Sequence, residues 1–287
     1  MIKIKVKLTA FSTVAAALLL SVSMPYLFQG NGVTDEDSRN SNIINFSAQF
    51  SQDTVDSTIN KIKSDTDNGT NNERVLLKLT SPGGEVFSGK KLRTEMTKKG
   101  MHVDTYVPAF AASMGADIFM QGERRYVEPD AIVLFHGAHA GTYAVSQPIL
   151  QIKLDILQSQ EFIDALNAPS YMSQDPSNPM QMYRSKLDAK HAAYMSELLQ
   201  AVNSRGYEVV LMELQSIFDI ISTINETMLL GFERAIKQSN GKLTMDILRE
   251  KVFRNFTQDV VLTGQQLYDL GLATDLGAPN EKDYRKN

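Results

Sequence analysis

A serine, a histidine and a glycine pair stand at the ends of three apolar runs. Ser113 lies within Ala111-Ala112-Ser113-Met114-Gly115-Ala116, where an apolar stretch that begins at Val103 changes character. Thr80-Ser81-Pro82-Gly83-Gly84 closes the run Val75-Leu76-Leu77-Lys78-Leu79, and His136 closes Ala131-Ile132-Val133-Leu134-Phe135. A serine hydroxyl is a poor nucleophile until a base accepts its proton. The oxyanion that then forms needs fixed donors, and glycines let backbone approach a substrate with no Cβ in the way. The three stretches therefore suggest a nucleophile, a base and an oxyanion site. Each alone has a plainer reading: a core serine among alanines, a hydrogen-bonded structural histidine, a simple turn. The turn lacks the lysine and spacing of a phosphate loop. His136-Gly137-Ala138-His139 has no evident third ligand, so no metal is expected.

The elements that must position these residues alternate. A short strand is expected at Ile43 to Phe46, a helix after Ser51, a strand at Arg74 to Leu79 and a helix from Val86 to Lys99. Strands follow at His102 to Tyr106, Tyr126-Val127 and Ala131 to Phe135, with a helix from about Met114 to Met120. Near-continuous apolar strands between helices indicate a buried parallel sheet and an α/β fold. After Gly141 the texture becomes helical: Ser146 to Leu166, then Met182 to Ile236, which is rich in Met, Leu, Ile and Glu, then Gly241 to Phe253. A loop carrying Pro169, Pro176 and Pro179 separates the first two, and Asp65 to Asn72 reads as another loop. The chain ends in strand, helix and strand between Val260 and Leu276.

Taken together and in order, the blocks around Ser81-Pro82-Gly83-Gly84, Ser113-Met114-Gly115 and Phe135-His136 resemble the signature blocks of the Clp protease proteolytic subunit. The tail Leu262-Thr263-Gly264-Gln265-Gln266-Leu267-Tyr268-Asp269-Leu270-Gly271-Leu272 resembles that family's closing strand, helix and turn. The resemblance covers about 43–141 and 245–276. It implies a crotonase-like spiral of ββα units and serine peptidase chemistry without a cofactor. Carried over by motif, Ser113 is the nucleophile, His136 the general base, and the N–H groups of Gly83 and Met114 the oxyanion hole. The departure lies at the third member. An ungapped alignment of the tail puts Asn255 at the family's catalytic aspartate, with Asp259 at a second acidic position. An asparagine such as Asn255 can orient a neutral imidazole but would stabilise imidazolium less than a carboxylate; alternatively a small local shift brings Asp259 into place, so the third member stays open between the two.

Further expectations concern organisation and partners. Lys3, Lys5 and Lys7, the apolar segment Leu8 to Val22, and Ser21-Val22-Ser23 read as a secretory signal cleaved after Ser23. The expected layout is a signal peptide at 1–23, a linker at 24–42, a core from 43–145 and 241–280, and a helical handle and insertion at 146–240. The protein is thus expected to be exported, and membrane-associated only if that segment stays uncleaved. A net charge of −4 with no long basic run beyond the N-terminus argues against nucleic acid. The absence of cysteine excludes disulfides, thiolate metal sites and a cysteine nucleophile. The resemblance implies a peptide or protein substrate and a homo-oligomer. Competing readings are a signal peptide peptidase A-like Ser–Lys enzyme, whose base would be Lys153 or Lys186, and a non-catalytic scaffold that binds partners through its helices. An acyl-CoA enzyme on the same fold is weaker, since it gives the Ser–His pair no role.

Overall fold

A computed structural model describes residues 41–66, 74–140, 145–167, 189–256 and 258–285. The signal and nearly all of the linker, most of the Asp65–Asn72 loop, the proline-rich loop and Lys186 lie outside the described residues. The described chain divides into two units. The first takes the described parts of Met1–Phe135, Gly231–Thr244 and Val261–Asn287; the second takes those of His136–Leu230 and Met245–Val260. The expected layout draws the core to residue 145; the first segment of the first unit ends ten residues earlier, at Phe135.

The first unit is a spiral of repeated turns. Strands β1 (Ile43–Phe46), β2 (Arg74–Leu79), β3 (His102–Val107), β5 (Arg125–Val127) and β10 (Asp275–Leu276) form a parallel sheet in the order β1-β2-β3-β5-β10. A second sheet holds β4 (Phe110–Ala112), β6 (Ile132–Phe135) and β9 (Val260–Thr263). Three times the chain leaves the first sheet and pairs in the second: Ser81 after β2 bridges Ala111, β4 follows β3, and β6 follows β5. A helix then returns it after the first two, α2 (Val86–Met96) and α3 (Met114–Phe119), while α1 (Gln52–Thr66) precedes β2. This is the expected ββα spiral. The central strands bury nearly every side chain, Val75, Leu77, Val103 and Val127 among them, as strands covered on both faces must.

Two buried charged groups tie the unit together. Asp104 is fully buried on β3. It accepts from Arg74 Nε at 2.9 Å, the Arg124 N–H at 2.9 Å and the Tyr284 hydroxyl at 2.7 Å. Arg125 is also fully buried, and donates to the carbonyls of Leu272 (2.6 Å) and Gly122 (3.1 Å) and to Gln238 Oε1 (2.5 Å). Buried charge is tolerated only with such partners. They bind the C-terminal strand and the helix Glu233–Gln238 to the sheet by residues far apart in sequence.

The second unit is mostly helical: α4 (Gln147–Leu157), α5 (Gln160–Asn167), α6 (Ala189–Arg205) and α7 (Tyr207–Leu230), with a short hairpin of β7 (His139–Ala140) and β8 (Val145–Ser146). Ile156, Leu157, Phe162, Leu198, Leu199 and Val202 form its core. Within the helical stretch expected over Met182 to Ile236, α6 ends at Arg205, before Gly206, whose φ is +90°, and α7 ends at Leu230, before Gly231. The helix expected over Gly241 to Phe253 is reduced to Met245–Ile247 followed by a π-helical turn, Leu248–Val252.

Candidate active site

Within the first unit, β4 carries the chain straight into Ser113, and α3 starts at the next residue. Ser113 has φ +55° and ψ −121°, a conformation an L-residue adopts only under external constraint. The constraint is visible on both sides. The Ser113 N–H donates to the Leu134 carbonyl at 2.9 Å and its carbonyl accepts from the Asp117 N–H at 3.1 Å, while Ala112 N–H is held by the Ser81 carbonyl at 2.9 Å. The result is a sharp strand-to-helix turn with the serine at its apex, the geometry that presents a nucleophilic hydroxyl.

The glycine turn abuts this serine. A Cβ added to Gly83, whose φ is +101°, would stand 2.5 Å from Ser113 Cβ and 3.1 Å from its Oγ. Gly84 is pressed as closely on the backbone of Phe50, which is why α1's leading segment fixes the turn: Phe50 N–H donates to the Gly83 carbonyl at 2.8 Å and Glu85 N–H to the Phe50 carbonyl at 2.9 Å. Met114 packs on Gly89 of α2, where any Cβ would strike its sulfur. The two expected oxyanion donors differ in state. The Gly83 N–H donates to Ser81 Oγ at 3.2 Å, a long bond inside its own turn, and Ser81 Oγ in turn donates to the Ala48 carbonyl at 2.6 Å. Met114 N–H is in the first turn of α3, where helical amides have no partner within the helix.

A buried carboxyl that the sequence reading passed over lies one turn beyond the serine. Asp117 on α3 is 2% exposed and its Oδ1 has no hydrogen-bond partner. Burial pushes its pKa up to about 6, against the pull of Arg93 and Lys90 on α2.

His136 belongs to the second unit, as the first residue after β6. Its Nδ1 lies 2.6 Å from the Gly137 carbonyl oxygen. A carbonyl can only accept, so Nδ1 carries the proton and Nε2 is left as the basic nitrogen. That is the tautomer a general base requires. Among the described residues no hydrogen bond joins His136 to Asn255 or Asp259. Arg254, Asn255 and Phe256 are three successive left-handed residues, and this kink turns the chain so that Phe256 rather than Asn255 meets the histidine loop. A Cβ on Gly137 would be 3.1 Å from Phe256 Cβ. Asn255 instead lines an open pocket with Glu250, Lys251, Arg254 and Gln258. Asp259 acts electrostatically on His139.

The loop has two further supports, neither anticipated. Buried Asn225 of α7 accepts from the Ala138 N–H at 2.7 Å and donates to Gln147 Oε1 at 2.8 Å. The rings of His136 and His139 stack with centroids 4.8 Å apart and planes at 12°. The spacing of three between these histidines is the available signal, and in sequence it points first to a metal motif.

Comparison with known families settles the class. The family model for Clp protease matches residues 36–184, just over half of the chain. The chain belongs to the Clp protease family. The mixed α/β fold with its parallel sheet is the one that family membership implies, and the activity class to account for is peptide-bond hydrolysis. The Clp match spans the serine elbow, the glycine turn and the His136 loop, and stops before α6.

Proposed function

We propose that this Clp-family protein is an exported serine endopeptidase that cleaves peptide bonds through an acyl-enzyme and needs no ATPase partner. Ser113 at its strained elbow, with the Gly83 backbone against its side chain, is the observation that carries this reading. Ser113 Oγ attacks the scissile carbonyl while Nε2 of His136 takes its proton. The Met114 amide, joined by an amide of the Gly83–Gly84 turn, stabilises the oxyanion. His136 then returns the proton to the leaving amine, and water resolves the ester by the same route. A fluorophosphonate probe is expected to label the wild-type protein and to leave Ser113→Ala unlabelled. His136→Ala should slow labelling by roughly 10³-fold or more, the scale on which a serine loses its base. A folded wild type that resists the probe would sink this reading.

Export rests on the basic and apolar N-terminal segment, and ATPase independence follows from it, since ATP is not expected outside the cytoplasm. Expressed in a secreting host, the protein should yield a mature N-terminus at Met24; an N-terminus at Met1 would contradict a cleaved signal. Substrates are peptides or proteins. Self-association fits the exposed apolar side chains Met212, Ile220 and Leu230 on α7. A Ser–Lys mechanism finds little support: Lys153 Nζ is nearly buried and ion-paired to Glu197 at 2.7 Å, beneath the ring of Tyr194.

A further inference from the structure

Four arginines gather at the end of the first unit's main sheet where its parallel strands begin. Arg74 opens β2, Arg125 opens β5 with Arg124 just before it, and Arg234 comes from the helix Glu233–Gln238. The glycine turn lies past the opposite end of β2, so this corner is separate from the serine site. Three hydrogen bonds fix the helix and Arg125 against the turn that leads into β5. Arg234 Nη1 donates to the Gln121 carbonyl at 3.0 Å, Arg125 Nη1 to the Gly122 carbonyl at 3.1 Å, and Gln238 Nε2 to the Glu123 carbonyl at 3.0 Å. Consecutive carbonyls thus hold two guanidinium groups side by side. Arg74, Glu123, Arg124, Arg234 and Gln238 line an open pocket there of about 340 Å³.

The charges at this pocket do not balance. Arg74 is engaged by buried Asp104 at 2.9 Å and by Glu123 at 3.3 Å. Glu123, the one carboxylate on the wall, is also met by His102 Nδ1 at 3.0 Å. Among the described residues no carboxylate forms an ion pair with Arg124, Arg125 or Arg234. Arg124 stands over the Tyr126 ring at 5.9 Å, and Arg234 bonds only a carbonyl. Arg125 is fully buried, lies one hydrogen bond behind Gln238 of the wall, and has no partner for Nη2 among the described residues. A buried cation without a counter-charge is costly, and an anion in the pocket would offset it.

We propose that this pocket binds a phosphate-type dianion, free or as the end of a small phosphate ester, through Arg124 and Arg234. A guanidinium fork takes phosphate oxygens two at a time. A tetrahedral dianion has acceptors enough for forks arriving from a strand end and from a helix, whereas a carboxylate has two oxygens in all. The pocket's volume suits a ligand of this size. Since Arg124 belongs to the sheet and Arg234 to the helix, the bound ligand clasps the helix Glu233–Gln238 to the sheet. The site does not depend on the peptidase reading, and its test needs no catalytic activity.

That test is calorimetric titration of the full-length protein with inorganic phosphate at low salt, where such contacts are least screened. The wild type should show one saturable site with a Kd below about 1 mM, and phosphate should raise its thermal midpoint. Arg124→Gln should weaken binding about 10-fold or more, and Arg234→Lys, which keeps the charge but loses the fork, by a comparable factor. Lys251→Gln, which takes a positive charge from the open pocket beside Asn255, should leave binding unchanged. Thermal unfolding without phosphate identifies a variant that has lost its fold, and the other arginine variant then decides. Tighter binding of glycerol phosphate than of inorganic phosphate assigns an ester as the ligand; the reverse order assigns the free ion. The proposal is overturned if the wild type shows no saturable binding by about 20 mM phosphate. Equal losses in Lys251→Gln and Arg124→Gln, or tighter binding of succinate than of phosphate, would overturn it as well.

Discussion

Gly83→Ala is expected to abolish fluorophosphonate labelling while Gly100→Ala leaves it intact. Both glycines have positive φ, +101° and +86°, so both substitutions carry a backbone cost. At Gly100 nothing lies within 4 Å of the new Cβ, and that cost, about 1 kcal/mol, is the whole effect. At Gly83 the methyl would stand 2.5 Å from Ser113 Cβ and 2.9 Å from the Ala112 carbonyl. Neither neighbour can yield cheaply. Ala112 is paired to Leu134 in the second sheet and bonded to Ser81, and Ser113 already sits in a sparsely allowed conformation. Overpacking and strain of this kind cost roughly 2–5 kcal/mol together. Whichever way the turn relaxes, Ser113 or the oxyanion donors move, and labelling should drop at least about 10²-fold. Thermal unfolding beside the labelling assay separates a displaced serine from an unfolded protein. A Gly83→Ala variant that labels at the wild-type rate would show that this turn does not abut the working serine.

The second large effect is a gain. Asp117 is buried with an unpartnered oxygen, and its pKa is raised from 3.8 to about 6. The sign follows from linkage. The native state binds this proton more tightly than the unfolded chain, so the group costs nothing below about pH 3.8, where both states hold it. As pH rises through about 6 the native carboxyl must ionise in a nonpolar setting, and stability worth about 3 kcal/mol is lost. Asp117→Asn cannot ionise. It should therefore stabilise the protein by about 2–3 kcal/mol near pH 7.5 and leave it unchanged near pH 4, as read by urea unfolding at both pH values. Equal stability of the two proteins near pH 7.5 would show that Asp117 has a partner in the working protein. That the helix following Ser113 carries such a group places a pH-sensitive strain one turn from that serine.

How much of this was legible in the sequence depended on whether a residue's role was written in its neighbours or in distant packing. The strands β2, β3 and β6 could be read because buried strands favour runs rich in apolar residues, broken on β3 only by Asp104 and Thr105, and these stretches lead to Gly83, Ser113 and His136. The elbow could be placed but not its strain, which comes from Leu134 and Ser81 holding the backbone from other strands. The helix breaks followed glycine, at Gly206 and just before Gly231, where a long helical pattern had masked the punctuation. The orientation of His136 was beyond reach. An alignment on the tail could offer Asn255 and Asp259, yet three left-handed residues at 254–256 redirect the chain, and neither asparagine nor arginine advertises that in isolation. His139 was in plain view but carried the wrong question, since paired histidines suggest metal before they suggest stacking. Asp117 sat unremarked because one acid in an apolar helix is ordinarily surface-facing; only packing against α2 shows it is not.

The central claim is that Ser113 is an activated nucleophile. Peptide mapping of the folded, fluorophosphonate-treated protein tests it most directly. The expected result is a single adduct, on Ser113, absent from Ser113→Ala and much slower to form in His136→Ala. A folded wild type with no adduct, or an adduct that persists elsewhere in Ser113→Ala, would contradict it.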